Sequence, residues 1–95
     1  TGIMTKIEMQ EENCDYIHGR MNAGGKTLSE NLTNLSTAVS DIIGSSWSSP
    51  SAEEFLREFS GLQRQLQGEI DLLRQLTARF GTAIENFKEV DAKLG

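Results

Sequence analysis

The chain has 95 residues, of which 37% are hydrophobic and 6% aromatic, and it carries a net charge of −5. Its length predicts one domain, near the size at which a single hydrophobic core is only marginally stabilising. The acidic balance argues against nucleic acid or an anionic membrane as a partner. No apolar run reaches the roughly 20 residues of a membrane span, and no cleavable secretory leader is predicted.

The first half of the chain places apolar or small residues at steps of three and four, the spacing of one helix face. This first stripe consists of Cys14, Ile17, Met21, Gly24, Leu28, Leu32, Leu35, Val39 and Ile42. The stripe keeps its phase through Gly24-Gly25, although each glycine weakens a helix by about 1 kcal/mol. The pattern therefore predicts either one long helix with a weak point or two collinear segments, over about residues 7–43. We interpret Gly44 as the C-cap.

A serine-rich stretch, Ser45–Glu53, separates the two halves of the chain. Ser49-Pro50 fits an N-cap followed by proline at the first helical position. Ser51 and Glu54 also fit a capping box, which would start the helix two residues later. Residues 44–49 are predicted to be a short connection, and short connections join antiparallel helices.

The second half carries another stripe at steps of three and four, which predicts a helix over about residues 50–93. Its members are Phe55, Phe59, Leu62, Leu66, Ile70, Leu73, Leu76, Phe80, Ile84, Phe87, Asp91 and Leu94. Together the two stripes predict an all-α fold, an antiparallel two-helix hairpin that forms a single domain over residues 1–95.

The second stripe is wider than one partner helix can cover. Each helix would be about 60 Å long, and each large side chain left in water forgoes about 1.5–3 kcal/mol. We therefore expect two hairpins to dimerise into a four-helix bundle. The predicted dimer interface consists of Phe55, Phe59, Leu62, Leu66, Ile70 and Leu73. Gly61 and Gly68 either allow close backbone approach along this helix or are simply exposed.

Two short motifs give the chain a resemblance to a known family. The predicted turn reads Trp47-Ser48-Ser49 and is followed by Ala52 and Phe55, while Phe87 and Asp91 stand four residues apart late in the second helix. A hairpin of this length resembles the WXG family of small type VII secretion proteins, which includes the early-secreted-antigen proteins. That family has Trp-x-Gly at the turn and Tyr-x-x-x-Asp/Glu in its export signal. Here serine replaces the glycine and phenylalanine replaces the tyrosine.

The resemblance, which covers residues 7–91, implies a small secreted substrate or escort of a type VII secretion system. Such a protein leaves the cytoplasm as a folded dimer, with itself or with a similar small helical protein, and has no cleavable signal peptide. Trp47 and Ser49 would shape the tip of the hairpin, and Phe87 and Asp91 would supply the export signal. Because burying an indole contributes about 2–3 kcal/mol, we also expect Trp47 to be mostly packed, against its own hairpin or against the partner. The alternative is a cytoplasmic helical adaptor or scaffold that binds a partner helix. A third reading, the leading hairpin of a larger toxin, is less favoured because the sequence ends at Gly95.

The side chains with reactive groups do not suggest catalysis. The single histidine, His18, has no second histidine or cysteine suited to a metal or a triad, and we expect it to be exposed or half-buried. Glu11-Glu12 and Asp15 are interpreted as a solvated helix face. Cys14, the only cysteine, lies on the first stripe and is expected to behave as a small hydrophobe. We therefore predict no enzyme activity, metal, cofactor or small-molecule substrate.

Overall fold

The protein is a rod made of two antiparallel helices. A computed structural model describes residues 5–94, without the side chain of Leu94. Helix α1 spans Lys6–Ser45 and helix α2 spans Pro50–Leu94. The rod measures 68 × 23 × 13 Å, and its radius of gyration is 21.1 Å, against about 12 Å for a globular chain of this length. The predicted all-α helical hairpin is confirmed.

Helix α1 begins at Lys6, about two turns before Cys14, the first residue of its apolar stripe. The Thr5 hydroxyl accepts a hydrogen bond from the Glu8 backbone N–H at 3.1 Å, and the Glu8 carboxylate accepts one from the Thr5 N–H at 3.2 Å. This reciprocal capping box satisfies two backbone donors that a helix start leaves free. The helix then continues without a break through Gly24-Gly25 to Ser45. Of the two alternatives for this half, the single long helix is correct.

The prediction that Gly44 caps α1 is wrong. Gly44 lies inside the last turn, and the C-cap is Ser46, whose backbone has right-handed helical angles. The N–H groups of Ser46 and Trp47 both donate to the Ile42 carbonyl at 2.9 Å. These bonds close the last turn without a left-handed residue, so no glycine is required there.

Helix α2 begins at Pro50, as the first of the two capping patterns predicts. The Ser49 hydroxyl accepts a hydrogen bond from the Ala52 N–H at 3.2 Å, and Pro50 occupies the first helical position, where its missing N–H leaves no partner unsatisfied. The alternative start at Ser51 is therefore wrong, and the connection is limited to residues 46–49.

The interior is a thin seam between the helices. Its most buried apolar side chains are Leu32, Ala52, Ile70 and Ile84, and the Thr77 side chain and Gly25 are buried beside them. The rest of the predicted first stripe is only partly covered, since Ile17, Leu28, Leu35 and Ile42 all remain about half exposed. A two-helix hairpin covers one line of each helix, and both stripes are wider than that line.

Candidate functional site

One long side of the hairpin, here called the apolar side, is built from large exposed hydrophobic residues. On α1 it includes Leu28, Leu35 and Ile42, spaced seven residues apart. On α2 it includes Phe55, Leu62, Leu76 and Val90, which are 42% to 56% exposed and also recur at multiples of seven. Seven residues are close to two helical turns, so each set forms a line along its helix.

A groove between the helices joins these two lines into one surface. Its lining is Leu28, Asn31, Leu32, Leu35, Leu66, Glu69, Ile70 and Leu73. Glu69 continues the α2 line of Leu62 and Leu76, and it is the single charged residue of the groove. A partner helix laid in this groove would bury leucine side chains of both helices at once, which is the arrangement of a four-helix bundle.

The opposite side of the hairpin, here called the polar side, differs sharply in character. Its groove is lined by His18, Asn22, Arg74, Thr77, Ala78, Gly81, Thr82 and Glu85. Nearby, Lys88 forms an ion pair with Asp15 across the two helices, with Nζ 2.8 Å from Oδ2. Within residues 5–94, the extended apolar surface therefore lies on one side of the rod.

The predicted dimer interface falls mostly on the apolar side. Phe55 and Leu62 are exposed there, Phe59 is half-buried, and Leu66 and Leu73 are half-buried in the lining of the groove. Ile70 is only 6% exposed. It packs mainly against α1, on the same line of α2 as Thr77 and Ile84, and it also lines the groove.

The tip of the hairpin carries an aromatic row that continues onto α2. The rings of Trp47 and Phe55 lie 5.9 Å apart, and those of Phe55 and Phe59 lie 6.2 Å apart. Trp47 nevertheless keeps 38% exposure, so it is not mostly packed against its own hairpin, and packing against a partner stays a prediction. Ser49 lies beside this row as the cap of α2. The two predicted turn residues thus have distinct positions, one in an aromatic contact and one in a helix cap.

The open end of the hairpin contains the predicted export pair. Phe87 and Asp91 are both half-buried, because α1 lies against them. The cleft beside them is lined by Thr5, Ile7, Glu8, Glu11, Lys88, Asp91 and Ala92. The description of Glu11 as part of a solvated face is therefore wrong, since Glu11 turns toward α2, while Glu12 and Asp15 are exposed as expected.

The charges at the open end shift two pKa values. Partial burial raises the pKa of the Glu11 carboxyl above its usual 4.5, and the neighbouring Asp91 carboxylate adds to the rise. The hydrogen bond to Asp15 raises the pKa of the Lys88 ammonium above its usual 10.5. In the folded hairpin, Glu11 therefore binds its proton more tightly, and Lys88 stays charged to higher pH.

A contact that the sequence does not reveal fixes how the two helices are aligned. The His18 ring donates from Nε2 to the Thr77 carbonyl at 3.1 Å and meets Phe80 edge-on at 6.1 Å. Its space is provided by Gly81, the one glycine with a very close neighbour in the described hairpin. Gly61 and Gly68 face open space instead, so neither serves close approach within the hairpin.

Comparison with known proteins does not identify the chain. No family model, curated protein or solved structure matches it, so the WXG resemblance remains a prediction. Among residues 5–94, no three histidine, cysteine or acidic side chains gather as they would around a metal ion. Over the same described residues, neither helix contains a stretch apolar enough to cross a membrane.

Proposed function

We propose that this chain is a small helical substrate or escort of a type VII secretion system, and that it works as one half of a four-helix assembly. The observation that carries the proposal is the apolar side. In a single hairpin, the side chains along one face stay about half exposed to solvent, among them Leu28, Leu35, Leu62 and Leu76. A second hairpin of similar length would cover them.

The partner is a similar helical hairpin, either a second copy of this chain or a related protein. The groove between α1 and α2 has leucine on both walls over residues 28–35 and 66–73, and a partner helix can contact such a groove through residues at steps of three and four. Glu69 lies in that groove. Burying its carboxylate without a cation or hydrogen-bond donor is unfavourable, so we expect the partner to bring such a group to this level.

The export role is assigned to Phe87 and Asp91 by resemblance to the family. Their spacing of four residues places both near one face of α2, and both lie at the open end, away from the tip. Phe87 is half-buried and therefore contributes to packing as well as to recognition.

The experiment is a secretion assay in the organism that encodes the chain, with Asp91→Asn compared with Glu11→Gln. Both substitutions remove one carboxylate from the same cleft, but only Asp91→Asn alters the export pair. We expect Asp91→Asn to accumulate inside cells while Glu11→Gln reaches the medium at the wild-type level. Normal secretion of Asp91→Asn would contradict the assigned signal, and a wild-type chain that never reaches the medium would contradict the export function.

The alternative function is a cytoplasmic adaptor that uses the same apolar side for a partner helix. It shares the four-helix assembly and lacks export. Fractionation of cells and medium separates the two, because an adaptor stays with its partner in the cell whatever the residue at position 91.

A further inference from the structure

A pair of carboxyl groups faces across the open end of the hairpin, one from each helix. Glu11 lies on the α1 line that also holds His18, Gly25 and Leu32, seven residues apart, and this line faces α2. Asp91 lies on the α2 line of Ile70, Thr77 and Ile84, the most buried line of that helix. Acids thus occupy the last core-facing position of both helices.

The buried oxygen of the Asp91 carboxylate has no hydrogen-bond donor beside it. Its Oδ2 atom is shielded from solvent and has no hydrogen-bond partner among the described residues. An ionised carboxylate only accepts hydrogen bonds, so two ionised carboxylates cannot satisfy each other. A proton on either group converts the contact into an O–H···O bond, which is among the stronger hydrogen bonds in proteins.

The neighbouring charges do not supply the missing donor. Lys88, the cation that lines the same cleft, donates to both carboxylate oxygens of Asp15, at 3.1 and 2.8 Å. Glu8, the other acid of the cleft, accepts from the Thr5 N–H in the capping box. Partial burial and Asp91 both raise the pKa of Glu11, and attraction to Lys88 lowers it. The lowering is the smaller effect, so the pKa is raised overall.

We propose that Glu11 and Asp91 form a proton-sharing pair that closes the open end of the hairpin in mild acid and loosens it at neutral pH. The proton that the pair takes up comes from solvent. The pair belongs to the hairpin itself and acts whether or not the chain is exported.

The sign of the pH dependence follows from the raised pKa. The folded chain holds the Glu11 proton at pH values where the unfolded chain has lost it, so folding is favoured more in acid. This contribution is fully present below the ordinary value of 4.5 and is lost as pH rises through the folded value. Glutamine at position 11 keeps a donor in place at every pH and removes the repulsion.

The test compares Glu11→Gln with Glu12→Gln, which makes the same charge change at an exposed position one residue away. Unfolding midpoints are measured by circular dichroism from mildly acidic to neutral pH. We expect Glu11→Gln to raise the unfolding temperature at neutral pH by several degrees. It should also weaken the pH dependence of that temperature between the ordinary and the raised pKa of Glu11. Glu12→Gln should follow the wild type. Equal behaviour of the two variants would overturn the proposal.

A second measurement follows the protonation of the Glu11 carboxyl directly. In carboxyl ¹³C NMR of the full chain, we expect the Glu11 signal to titrate above its ordinary value and Asp91→Asn to return it toward that value, because the neighbouring charge is removed. A Glu11 carboxyl that titrates at its ordinary value in the wild type, or that does not respond to Asp91→Asn, would also overturn the proposal. Neither measurement depends on secretion, so loss of the export function would leave this inference standing.

Discussion

The imidazole of His18 lies against Gly81, where an added Cβ would come within 2.9 Å of the ring Nε2. The same nitrogen donates to the Thr77 carbonyl one turn earlier on α2. With the ring in this position there is no room for a Cβ at residue 81, so a side chain there would displace His18, and the two residues favour the observed alignment of the helices. Sliding α2 by a single residue would replace the glycine with Phe80 or Thr82.

The first prediction is that Gly81→Ala stabilises the hairpin far less than alanine at another helical glycine. Alanine normally gains about 1 kcal/mol over glycine inside a helix, and we expect that gain for Gly68→Ala, because position 68 faces open space. At position 81 the new methyl displaces His18 from Thr77, which offsets the gain by about 0.5–1.5 kcal/mol. Chemical denaturation of both variants measures the difference.

A double substitution isolates the cause. In a His18→Ala background the methyl of Gly81→Ala meets no ring, so the full helix gain should return. If Gly81→Ala changes the free energy of unfolding by the same amount with and without His18, the His18–Gly81 contact does not set the alignment.

The second prediction concerns Trp47. The ring contacts Phe55 but stays 38% exposed, so Trp47→Ala should lower the free energy of unfolding by about 1–2 kcal/mol, less than the 3–5 kcal/mol of a fully buried aromatic. Tryptophan fluorescence of the wild type should lie between the buried and the fully hydrated limits. Emission like that of free tryptophan, with unchanged stability after substitution, would show an exposed recognition residue instead.

The third prediction is that a charge on the apolar side blocks association without unfolding the hairpin. Leu76 is 56% exposed, so Leu76→Glu should change the stability of an isolated hairpin by about 0.5 kcal/mol or less. It should weaken association at least about tenfold, because burying a leucine contributes about 1.5–3 kcal/mol. The matched control is Gln75→Glu, on the neighbouring outward-facing position, which should associate normally. Equal association of both variants by sedimentation velocity would place the interface elsewhere.

The sequence predicts the helices of this hairpin well because their signals are local. The stripes at steps of three and four, and the Ser49-Pro50 start of α2, depend only on nearby residues. The Thr5–Glu8 capping box is equally local and marks the true start of α1, although the apolar stripe alone suggests a later one. Glycine is common at C-caps, so the sequence predicts Gly44 as the cap of α1. In the structure Ser46 is the cap, with right-handed helical backbone angles.

The pairings between the helices could not be predicted, because they depend on which line of each wide stripe faces inward. The periodicity places Ile70 in the dimer interface although the hairpin itself buries most of it. It also does not separate Glu11 from the solvated face of Glu12 and Asp15. The His18–Gly81 contact joins residues 63 positions apart in the sequence, and no local sequence signal near either residue predicts it. Only the packed hairpin distinguishes Glu11 from the exposed Glu12 beside it.

The most direct test of the account is the mass of the folded protein with its native partners. We expect native mass spectrometry of the chain purified from the cells that encode it to show an assembly of two helical hairpins, of at least twice the chain's 10.5 kDa if the partner is a second copy. Leu76→Glu should shift that assembly toward the single chain. A well-folded 10.5 kDa monomer at micromolar concentration, with no helical protein co-purifying, would contradict the claim that the apolar side is an interface.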